Sequence, residues 1–357
     1  MKSGDWSLTT DYATIELAMD GTLSNFACHV AVLYGGDSSE REISLASGQQ
    51  AALALSLAGH QPVLIDPAEI ELHKVDWRAF DICFIALHGG AGEDGRIQAK
   101  LDQLGVRYTG SFPEACGLAM RKSASKRRFA NRGVPTPSWF TFAVDSQHVA
   151  WSEMEFPVVI KPDSQGSSLG VSVAHSANDL QRCIAGAGRY DSKLIAERLI
   201  VGREFTVSLL GRDPLPLLEI VAPTPIFSYD AKYASPITRY RFDSKLIGPI
   251  EAALYRAAIS AAEALGTSGL VRVDLMLDSQ NRPWVLELNA IPGLTARSLS
   301  PRAAGAAGID MPALVDWMIR DALARTGSRG AASNSTGDEP QIEDGAASIL
   351  ARIGAIH

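Results

Sequence analysis

Two stretches in the C-terminal half of the chain place polar side chains at the spacing of a β-strand. Arg272 and Asp274 are two residues apart in "VRVDLMLD", and Glu287 and Asn289 are two residues apart in "VLELN". Because side chains alternate between the two faces of a strand, each pair lies on one face. Carboxylate and carboxamide oxygens suit Mg²⁺ that bridges substrate phosphates. The alternative is the solvent face of an amphipathic hairpin, and Arg272 favours a functional site because a cation there can hold a developing oxyanion.

A loop rich in small residues follows the apolar run "FPVVI". The segment "KPDSQGSSLG", residues 161–170, begins with Lys161, and its glycines and serines let backbone N–H groups approach phosphate closely. Taken alone, the segment is equally typical of a surface hairpin. Together with the candidate Mg²⁺ ligands it predicts a nucleotide site. This site is not a P-loop, because the sequence contains no G-x-x-x-x-G-K-[ST] motif.

A second glycine-rich segment offers a competing interpretation. "GAGEDG", residues 90–95, follows a predicted strand and matches the dinucleotide pattern G-x-G-x-x-G. The match begins late in the first α/β region, and no acidic residue that ends a second strand lies about twenty residues further on. Nicotinamide binding is therefore the weaker interpretation.

The elements that must position these residues alternate between strands and helices. "HVAVLYGG", "QPVLIDP" and "DICFIALHGG" are apolar runs of strand length, and the helical segment "ISLASGQQAALALSLAGH" separates the first two. This order predicts an α/β unit of parallel character. "SFPEACGLAMRKSASKRRFANRGVPTP" predicts one helix that ends at Gly133, before a linker that contains Pro135 and Pro137.

A second α/β region begins at "FPVVIKP". Its strand-like segments are "KLIAERLI", "REFTVSLLG" and "PLPLLEIV", its helices are "IEAALYRAAISAAEALG" and "MPALVDWMIRDALART", and "GLVRVDLMLD" with "RPWVLELNA" predicts a hairpin that turns at "SQN". The segment "PTPIFSYDAKYASPITRYRFDSKL" shows neither helix nor strand period. Loops of that length inside a compact domain are usually functional lids.

Composition and charge restrict the classes of partner. The chain has 357 residues, 46% of them hydrophobic, and its formal net charge of −7 lacks the basic footprint of a nucleic-acid-binding protein. No apolar run approaches the ~20 residues of a membrane span, and the first residues are too polar for a secretory signal. The four cysteines are scattered, which argues against a disulfide framework or a zinc site. We therefore expect a cytoplasmic protein without a membrane partner.

The two ends of the chain carry weaker patterns. Residues 1–27 show no clear period and are predicted to be an extension. Residues 328–357 are predicted to be a disordered tail on composition. Its last segment places apolar residues on one helical face, which are Ile349, Leu350, Ile353 and Ile356. That face could dock on the body of the protein or on a partner, and a frayed tail is the favoured interpretation.

Seven motifs occur in order along the chain. They are "YGGDSSEREISL", "ALHGGAGEDG", "IKPDSQGSSLG", "REFTV", "DAKY", "VRVDLMLD" and "LELNAIPGLTARSLSP". Together they resemble the D-alanine–D-alanine ligase family of the ATP-grasp superfamily, over residues 28–326. The resemblance implies an α/β, three-part ATP-grasp fold. Its parts are an N-terminal substrate-binding domain at 28–112, a central subdomain at 113–197, and a C-terminal subdomain at 198–327 with a lid loop at 226–246.

The resemblance also implies a reaction and the groups that carry it. ATP phosphorylates the carboxylate of a first D-alanine, and the amine of a second attacks the acyl phosphate to give D-alanyl-D-alanine for peptidoglycan. Two Mg²⁺ ions, or Mn²⁺ in their place, join the phosphates. By resemblance, the ATP-binding residues are Lys122, Lys161, Ser168, Glu197, Leu199, Glu204 and Lys232. The implied metal ligands are Asp274, Glu287 and Asn289, and Arg272 with the backbone of Gly293 forms the oxyanion hole.

The amino-acid subsites follow from the same resemblance. Glu40 accepts the ammonium of the first substrate, although a carboxylate there could simply cap a helix. His88 lies near the first carboxylate, although a lone histidine is more often a hydrogen-bonded core residue. A Glu40–Ser167–Tyr233 hydrogen-bond line closes the lid and excludes water from the acyl phosphate. The site of the second D-alanine is lined by Ser298 and Leu299. Tyr233 makes the sequence resemble the family members that accept an amine rather than D-lactate.

Three positions depart from the family pattern. Arg121 stands where the family usually has aspartate, "RYRFDSKL" lacks the usual small-residue–Pro–Ala segment, and Ala290 stands where threonine is common. These departures leave open a ligase that joins other amino acids in a specialised pathway. A non-catalytic ATP-binding scaffold is the weaker alternative, since all the expected charged groups are present. Family members are commonly dimers, so the resemblance also implies a homodimer.

Overall fold

The structure, a computed structural model, describes residues 26–146, 151, 155–221 and 238–325. Almost all of the predicted extension, the whole predicted tail and much of the predicted lid loop lie outside these residues. Within the described ranges the chain forms three sheets with helices packed on them. Within the same ranges, no helix combines the length and apolar character needed to cross a bilayer.

The first sheet confirms the predicted parallel α/β unit. Its strands are β1 (His29–Leu33), β2 (Gln61–Ile65) and β3 (Ile82–Ile85), all parallel in the order β2-β1-β3, with α1 (Arg41–Leu57) connecting β1 to β2. The central strand is buried almost throughout, as its apolar sequence predicts. Helix α1 turns small residues toward the sheet. A Cβ on Gly48 would lie 2.2 Å from the Cβ of Tyr34, so only glycine permits this approach.

Three helices follow the first sheet, and here one prediction is wrong. The helices are α2 (Arg96–Gln103), α3 (Pro113–Met120) and α4 (Lys122–Asn131), so the single helix predicted to end at Gly133 is two helices. The break falls at Arg121, whose backbone is extended. Asp163, from a loop distant in the sequence, caps helix α4: its carboxylate accepts hydrogen bonds from the Ser123 N–H at 2.7 Å and from the Ser123 hydroxyl at 2.9 Å. The helix start is therefore fixed by a partner 40 residues away, which no local pattern reveals.

The second sheet is antiparallel and holds the small-residue loop. Its strands, in the order β4-β7-β5-β6, are β4 (Trp139–Ala143), β5 (Val158–Pro162), β6 (Ser172–Ala174) and β7 (Lys193–Arg198), and α5 (Ala177–Ala187) packs against them. Strands β5 and β6 pair directly, so residues 163–171 form the loop of a hairpin. The hairpin interpretation of this segment is therefore confirmed, and its role as a phosphate loop stays a prediction.

The third sheet carries the polar strand pair. Its strands are β8 (Gly202–Leu210), β9 (Asp213–Pro214), β10 (Leu218–Val221), β11 (Arg239–Arg241), β12 (Leu270–Asp278) and β13 (Pro283–Asn289). The helices of this part are α6 (Gly248–Leu265), α7 (Leu299–Ala306) and α8 (Met311–Arg325). The predicted hairpin is confirmed: β12 and β13 pair antiparallel across the turn. Strand β11 was not predicted, because three residues on a sheet edge are too short to show alternation.

The hairpin register is the feature that assembles the site. Arg272 faces Asn289, and Asp274 faces Glu287. Directly opposed side chains lie with Cβ atoms about 5 Å apart, so all four polar groups converge on one patch. The ladder is irregular immediately after Asp274, and the alanine-rich helix α6 packs against the hairpin.

We expect Asp278→Asn to loosen this hairpin in a pH-dependent way. The Asp278 carboxylate accepts hydrogen bonds from the backbone N–H groups of Gln280 and Arg282 and from the side chains of Arg282 and Trp284. Burial alone raises the pKa of Asp278, but these donors outweigh it and lower the pKa to about 2. Loss of a charged acceptor costs about 2 kcal/mol of unfolding free energy at pH 7.

The pH dependence has a definite sign. The folded pKa of Asp278 lies below the unfolded value of 3.8, so its contribution is full above pH 4 and disappears as the pH falls toward 2. Urea unfolding should show a constant gap between wild type and Asp278→Asn from pH 7 to 5, and a narrowing gap below pH 4. A gap that widens in acid would contradict this assignment.

Candidate active site

Two neighbouring cavities share three lining residues. One has a volume of about 350 Å³ and the other about 100 Å³, and Lys122, Gln165 and Glu287 line both. We call them the first and the second cavity.

Every predicted site residue that the structure describes lines one or both of these cavities. The first contains Glu40, His88, Lys122, Ser167, Arg272, Glu287, Asn289, Gly293, Ser298 and Leu299. The second contains Lys122, Lys161, Ser168, Glu197, Leu199, Glu204, Asp274 and Glu287. Tyr233 and Lys232 lie outside the described residues. The structure thus separates the predicted substrate residues from the predicted nucleotide residues.

Glu40 lies at the entrance of helix α1 and is buried. Its side chain makes no capping hydrogen bond to that helix. Instead, Glu40 Oε1 accepts a hydrogen bond from the hydroxyl of Ser167 in the β5–β6 loop. The loop that carries Glu40 is fixed in turn, because Ser38 Oγ donates to the His88 carbonyl at 2.6 Å. A buried carboxylate therefore faces the first cavity, where it can receive a cation.

His88 is buried and hydrogen-bonded on both ring nitrogens. Its Nε2 lies 2.9 Å from Ser47 Oγ, and its Nδ1 lies 3.4 Å from Glu93 Oε1. Glu93 also lines the first cavity and was missed by the sequence reasoning. It lies inside "GAGEDG", the segment considered as a dinucleotide motif, and a carboxylate among those glycines was the available signal.

The β5–β6 loop adopts a constrained backbone beside both cavities. Ser167 and Ser168 have φ of 51° and 57°, a region that non-glycine residues rarely occupy. Lys122 holds the loop, since its Nζ donates to the Gln165 carbonyl at 2.6 Å. The same Nζ lies 3.4 Å from Glu287 Oε2. Strain of this kind persists where the surroundings enforce it, and it is commonly found at ligand clamps.

A buried cluster of charges lies at the second cavity. Lys161 Nζ lies 3.1 and 3.0 Å from the two oxygens of Glu197, and Lys126 Nζ lies 2.6 Å from Glu197 Oε2. Burial alone raises the pKa of the Glu197 carboxyl, but the two lysines outweigh it and hold the pKa below its ordinary value. Glu197 is therefore a carboxylate that can accept hydrogen bonds. Lys126 was missed because "RKSASKRRF" has the composition of an exposed basic helix.

Arg272 and Asp274 form a paired unit on β12. Arg272 donates from Nε and from a terminal nitrogen to the two oxygens of Asp274, at 2.9 and 3.0 Å. Thr206 Oγ1 donates to Asp274 Oδ1 at 2.7 Å. These contacts fix the guanidinium at the wall of the first cavity and the carboxylate at the wall of the second.

The donor set fits a magnesium ion that is shared with phosphate. In the described part of the chain, no cluster of three or more His, Cys, Asp or Glu side chains could hold a metal. Asp274 and Glu287 supply two carboxylates, and Asn289 adds a carboxamide whose oxygen accepts a hydrogen bond from the Ile291 N–H at 2.8 Å. Mg²⁺ is commonly bound by one or two carboxylates together with substrate phosphates and water.

A turn that is held by hydrogen bonds to Ser298 also lines the first cavity. Ser298 Oγ accepts a hydrogen bond from the Thr295 N–H at 3.1 Å, and a Cβ on Gly293 would lie 2.7 Å from the same oxygen. Leu299 and Tyr240 of β11 both pack against Ile220. Tyr240 also lines the cavity, and the guanidinium of Arg302 lies 4.7 Å from its ring centroid. Tyr240 was missed because its segment departs from the family pattern.

Comparisons with known proteins agree with this architecture. A family model described as "D-ala D-ala ligase C-terminus" matches residues 129–320, and one described as "D-ala D-ala ligase N-terminus" matches residues 67–111. A curated "D-alanine--D-alanine ligase" of Synechococcus sp. (strain JA-3-3Ab) is 39% identical over 321 residues, which cover 88% of this chain and 99% of the relative. That of Aromatoleum aromaticum is 42% identical over 294 residues, covering 82% and 95%.

Solved structures show the same fold. The crystal structure of a D-alanine--D-alanine ligase from Bacillus anthracis is similar with a TM-score of 0.76 and 31% identity, covering 84% of this chain and 99% of that chain. The Bacillus anthracis enzyme complexed with ATP gives a TM-score of 0.74 at 29% identity, with the same coverage.

The fold and the site together define an ATP-grasp enzyme. A parallel α/β unit precedes two antiparallel sheets, and lysines and carboxylates from these elements line the two neighbouring cavities. Within that class, the chain belongs to the D-alanine–D-alanine ligase family.

Proposed function

We propose that this chain joins two D-alanines into D-alanyl-D-alanine for peptidoglycan synthesis, with cleavage of ATP to ADP and phosphate. The observation that carries the proposal is that Lys122 and Glu287 line both cavities. A nucleotide in the second cavity would present its terminal phosphate beside these two residues, and an amino acid in the first cavity would present its carboxylate there. Family membership and the ATP complex of the similar Bacillus anthracis enzyme support the same reaction.

The first cavity would hold the donor D-alanine through charge. Glu40 would accept its ammonium, with Ser167 holding the carboxylate of Glu40 in place, and His88 would lie near the substrate carboxylate. The buried position of Glu40 and its hydrogen bond to Ser167 support this role. Tyr233, which lies outside the described residues, would extend this line into the lid and exclude water from the acyl phosphate.

The second cavity would hold ATP. Lys122, Lys161 and the loop at Ser168 would contact its phosphates, and Lys232, outside the described residues, would join them. Glu197, the backbone of Leu199 and Glu204 would hold the adenine and ribose. Charge supports the arrangement, because Lys122 lines both cavities, Lys161 lines the second, and the carboxylates line the other walls.

Asp274, Glu287 and Asn289 would hold two Mg²⁺ ions, or Mn²⁺ in their place. The ions supply Lewis-acid stabilisation of phosphate charge when they are bound. Arg272 and the backbone N–H of Gly293 would stabilise the oxyanion that forms when the second amine attacks. The second D-alanine would lie against Ser298 and Leu299. In this reaction a carboxylate oxygen displaces ADP from the γ-phosphorus, and the attacking amine later displaces phosphate and loses a proton.

Oligomeric state and location complete the proposal. Dimers are common in the family, so we propose a homodimer. We place the reaction in the cytoplasm, where ATP is available and where the four cysteines, all free and buried, stay reduced.

A panel of amino acids tests this function. Phosphate release with ATP and Mg²⁺ should be rapid with D-alanine alone and absent with L-alanine, and mass spectrometry should find D-alanyl-D-alanine. Failure with D-alanine but turnover with D-serine or with D-alanine plus D-lactate would favour the second candidate, a ligase of changed specificity. The observation that favours it is Tyr240, which lies in the atypical lid segment and lines the first cavity.

We expect Glu40→Gln to raise the KM for the first D-alanine far more than the KM for ATP. Loss of an ion pair to a charged substrate group costs about 2–5 kcal/mol, which corresponds to at least about 30-fold in KM. Steady-state kinetics with each substrate varied separately would measure both constants. Glu114→Gln, on an exposed side chain outside both cavities, is the matched control and should leave both constants unchanged. A larger rise in the KM for ATP than in the KM for D-alanine would contradict the assignment of Glu40 to the ammonium of the first D-alanine.

A further inference from the structure

Lys126 is a fully buried cation to which the proposed reaction gives no role. Its side chain has no exposed surface, yet it lines neither cavity. Its Nζ lies 2.7 Å from Thr136 Oγ1 and 2.6 Å from Glu197 Oε2. Burying an ammonium is unfavourable, and an apolar side chain of similar length would fill the same volume without that cost. We therefore expect the charge at this position to have a function other than stabilising the fold.

The second lysine at Glu197 has a different surrounding. Lys161 contacts both oxygens of Glu197, but it also lines the second cavity, where a bound nucleotide would compete for its charge. Lys126 is separated from that space, so its contact with Glu197 persists whatever the cavity contains. Burial lowers the pKa of Lys126 to about 8 although Glu197 opposes the shift, so the ammonium is the main form at neutral pH.

Thr136 connects this contact to the sheet that carries the polar patch. Its hydroxyl accepts from Lys126 and donates to the Val285 carbonyl at 2.8 Å, and the Val285 N–H donates to the Pro135 carbonyl at 2.8 Å. Val285 lies on β13, two residues before Glu287. Lys126 thus links the carboxylate at the second cavity to the strand that supplies Glu287.

We propose that Lys126 is a positioning residue for the nucleotide base: it holds Glu197 as a fixed, charged acceptor, so that the second cavity selects a purine with an amino donor at C6. Adenine offers that donor, whereas guanine offers a carbonyl oxygen at the corresponding position, which a carboxylate repels. The inference rests on the proposed function, which assigns Glu197 to the base of ATP.

Direct nucleotide binding tests this role without the ligation reaction. Calorimetry with ADP or GDP, Mg²⁺ and no D-alanine would compare wild type with Lys126→Met, Lys126→Arg, Glu197→Gln and the Lys126→Met/Glu197→Gln double variant. Lys126→Met should weaken ADP binding about tenfold, or ~1.4 kcal/mol, and reduce the preference for ADP over GDP by a similar factor. Lys126→Arg should retain most of that preference, because it keeps the cation. In kinetics, the KM for ATP should rise while kcat at saturating ATP changes less than about threefold.

The double variant separates positioning from a general loss of structure. On the Glu197→Gln background, Lys126→Met should change the ADP preference by less than about twofold, because the acceptor it orients is already neutral. If Lys126→Met does not fold, Thr136→Val decides the question. This variant keeps the charges of Lys126 and Glu197, and it should still weaken the binding of ADP more than the binding of GDP.

Two outcomes overturn the inference. If the Lys126→Met variant folds and binds ADP with wild-type affinity and wild-type preference over GDP, the role is excluded. The role is also excluded if Lys126→Met changes the preference for ADP over GDP equally in the wild-type and Glu197→Gln backgrounds. Wild-type protein that binds no ADP overturns the proposed function itself. Wild type that binds ADP but ligates no D-alanine would refute the proposed acceptor chemistry, and the comparison of variants would still decide the role of Lys126.

Discussion

Glu287→Gln is expected to lower kcat by about 10³-fold or more while leaving the fold intact, because a metal ion at a transferring phosphate contributes several kcal/mol of stabilisation. Glu287 lines both cavities and lies opposite Asp274 across the hairpin. Glutamine keeps the shape of the side chain and removes the charge that a divalent cation needs. The apparent Mg²⁺ requirement should shift upward in the same variant, and phosphate release at several Mg²⁺ concentrations would measure both effects.

Two comparisons keep this prediction specific to Glu287. Glu263→Gln changes an exposed glutamate on helix α6 and should retain wild-type turnover at every Mg²⁺ concentration. Thermal unfolding of Glu287→Gln should show only a small loss of stability, since the side chain is 30% exposed and its carboxylate lies 3.4 Å from the Lys122 ammonium. Wild-type turnover by Glu287→Gln at low Mg²⁺ would contradict the assignment of Glu287 as a metal ligand.

Arg272→Met is expected to lower kcat by about 10²–10³-fold, the usual loss when one donor to a developing oxyanion is removed. Its guanidinium lines the first cavity, and its two hydrogen bonds to Asp274 fix its plane before any substrate binds. Such preorganisation means that little reorganisation is needed as charge develops. Because the same change leaves buried Asp274 without its cation, some loss of stability accompanies the loss of rate.

The sheet supplies a closely matched control for this variant. Arg203 also donates two hydrogen bonds to one carboxylate, that of Glu219, at 2.8 and 2.9 Å, but it lines neither cavity. Arg203→Met should lose a comparable amount of unfolding free energy and retain kcat within about threefold. Equal kcat values in the two variants would show that Arg272 acts on stability alone.

The sequence allowed the polar hairpin to be predicted, because the pattern is local, but not its register. Period-two alternation places Arg272 with Asp274 and Glu287 with Asn289. Counted from the turn at "SQN", Asp274 would lie opposite Leu286, and only the irregularity after Asp274 brings it opposite Glu287. The parallel first sheet was predictable for the same reason, since its strands are short apolar runs separated by helix-forming residues.

The features that escaped prediction depend on partners far along the chain. The break at Arg121 exists because Asp163 caps the following helix from a loop of another sheet. Lys126 is buried only because Glu197 and Thr136 surround it. Glu93 and Tyr240 belong to segments without strong periodicity, and their place in the first cavity follows from how distant elements pack. Motif order could assign residues to a family, but it could not show that Lys122 and Glu287 line both cavities.

The central claim, that a carboxylate is phosphorylated beside Lys122 and Glu287, has one direct measurement. D-Alanine labelled with ¹⁸O in both carboxylate oxygens would be supplied with ATP and Mg²⁺, and the released phosphate would be analysed by mass spectrometry. The account predicts one ¹⁸O atom in each phosphate for each dipeptide formed, because the attacking carboxylate oxygen leaves with the phosphate. Dipeptide formation with unlabelled phosphate would contradict the account, since ATP would then have been cleaved without passing through the carboxylate.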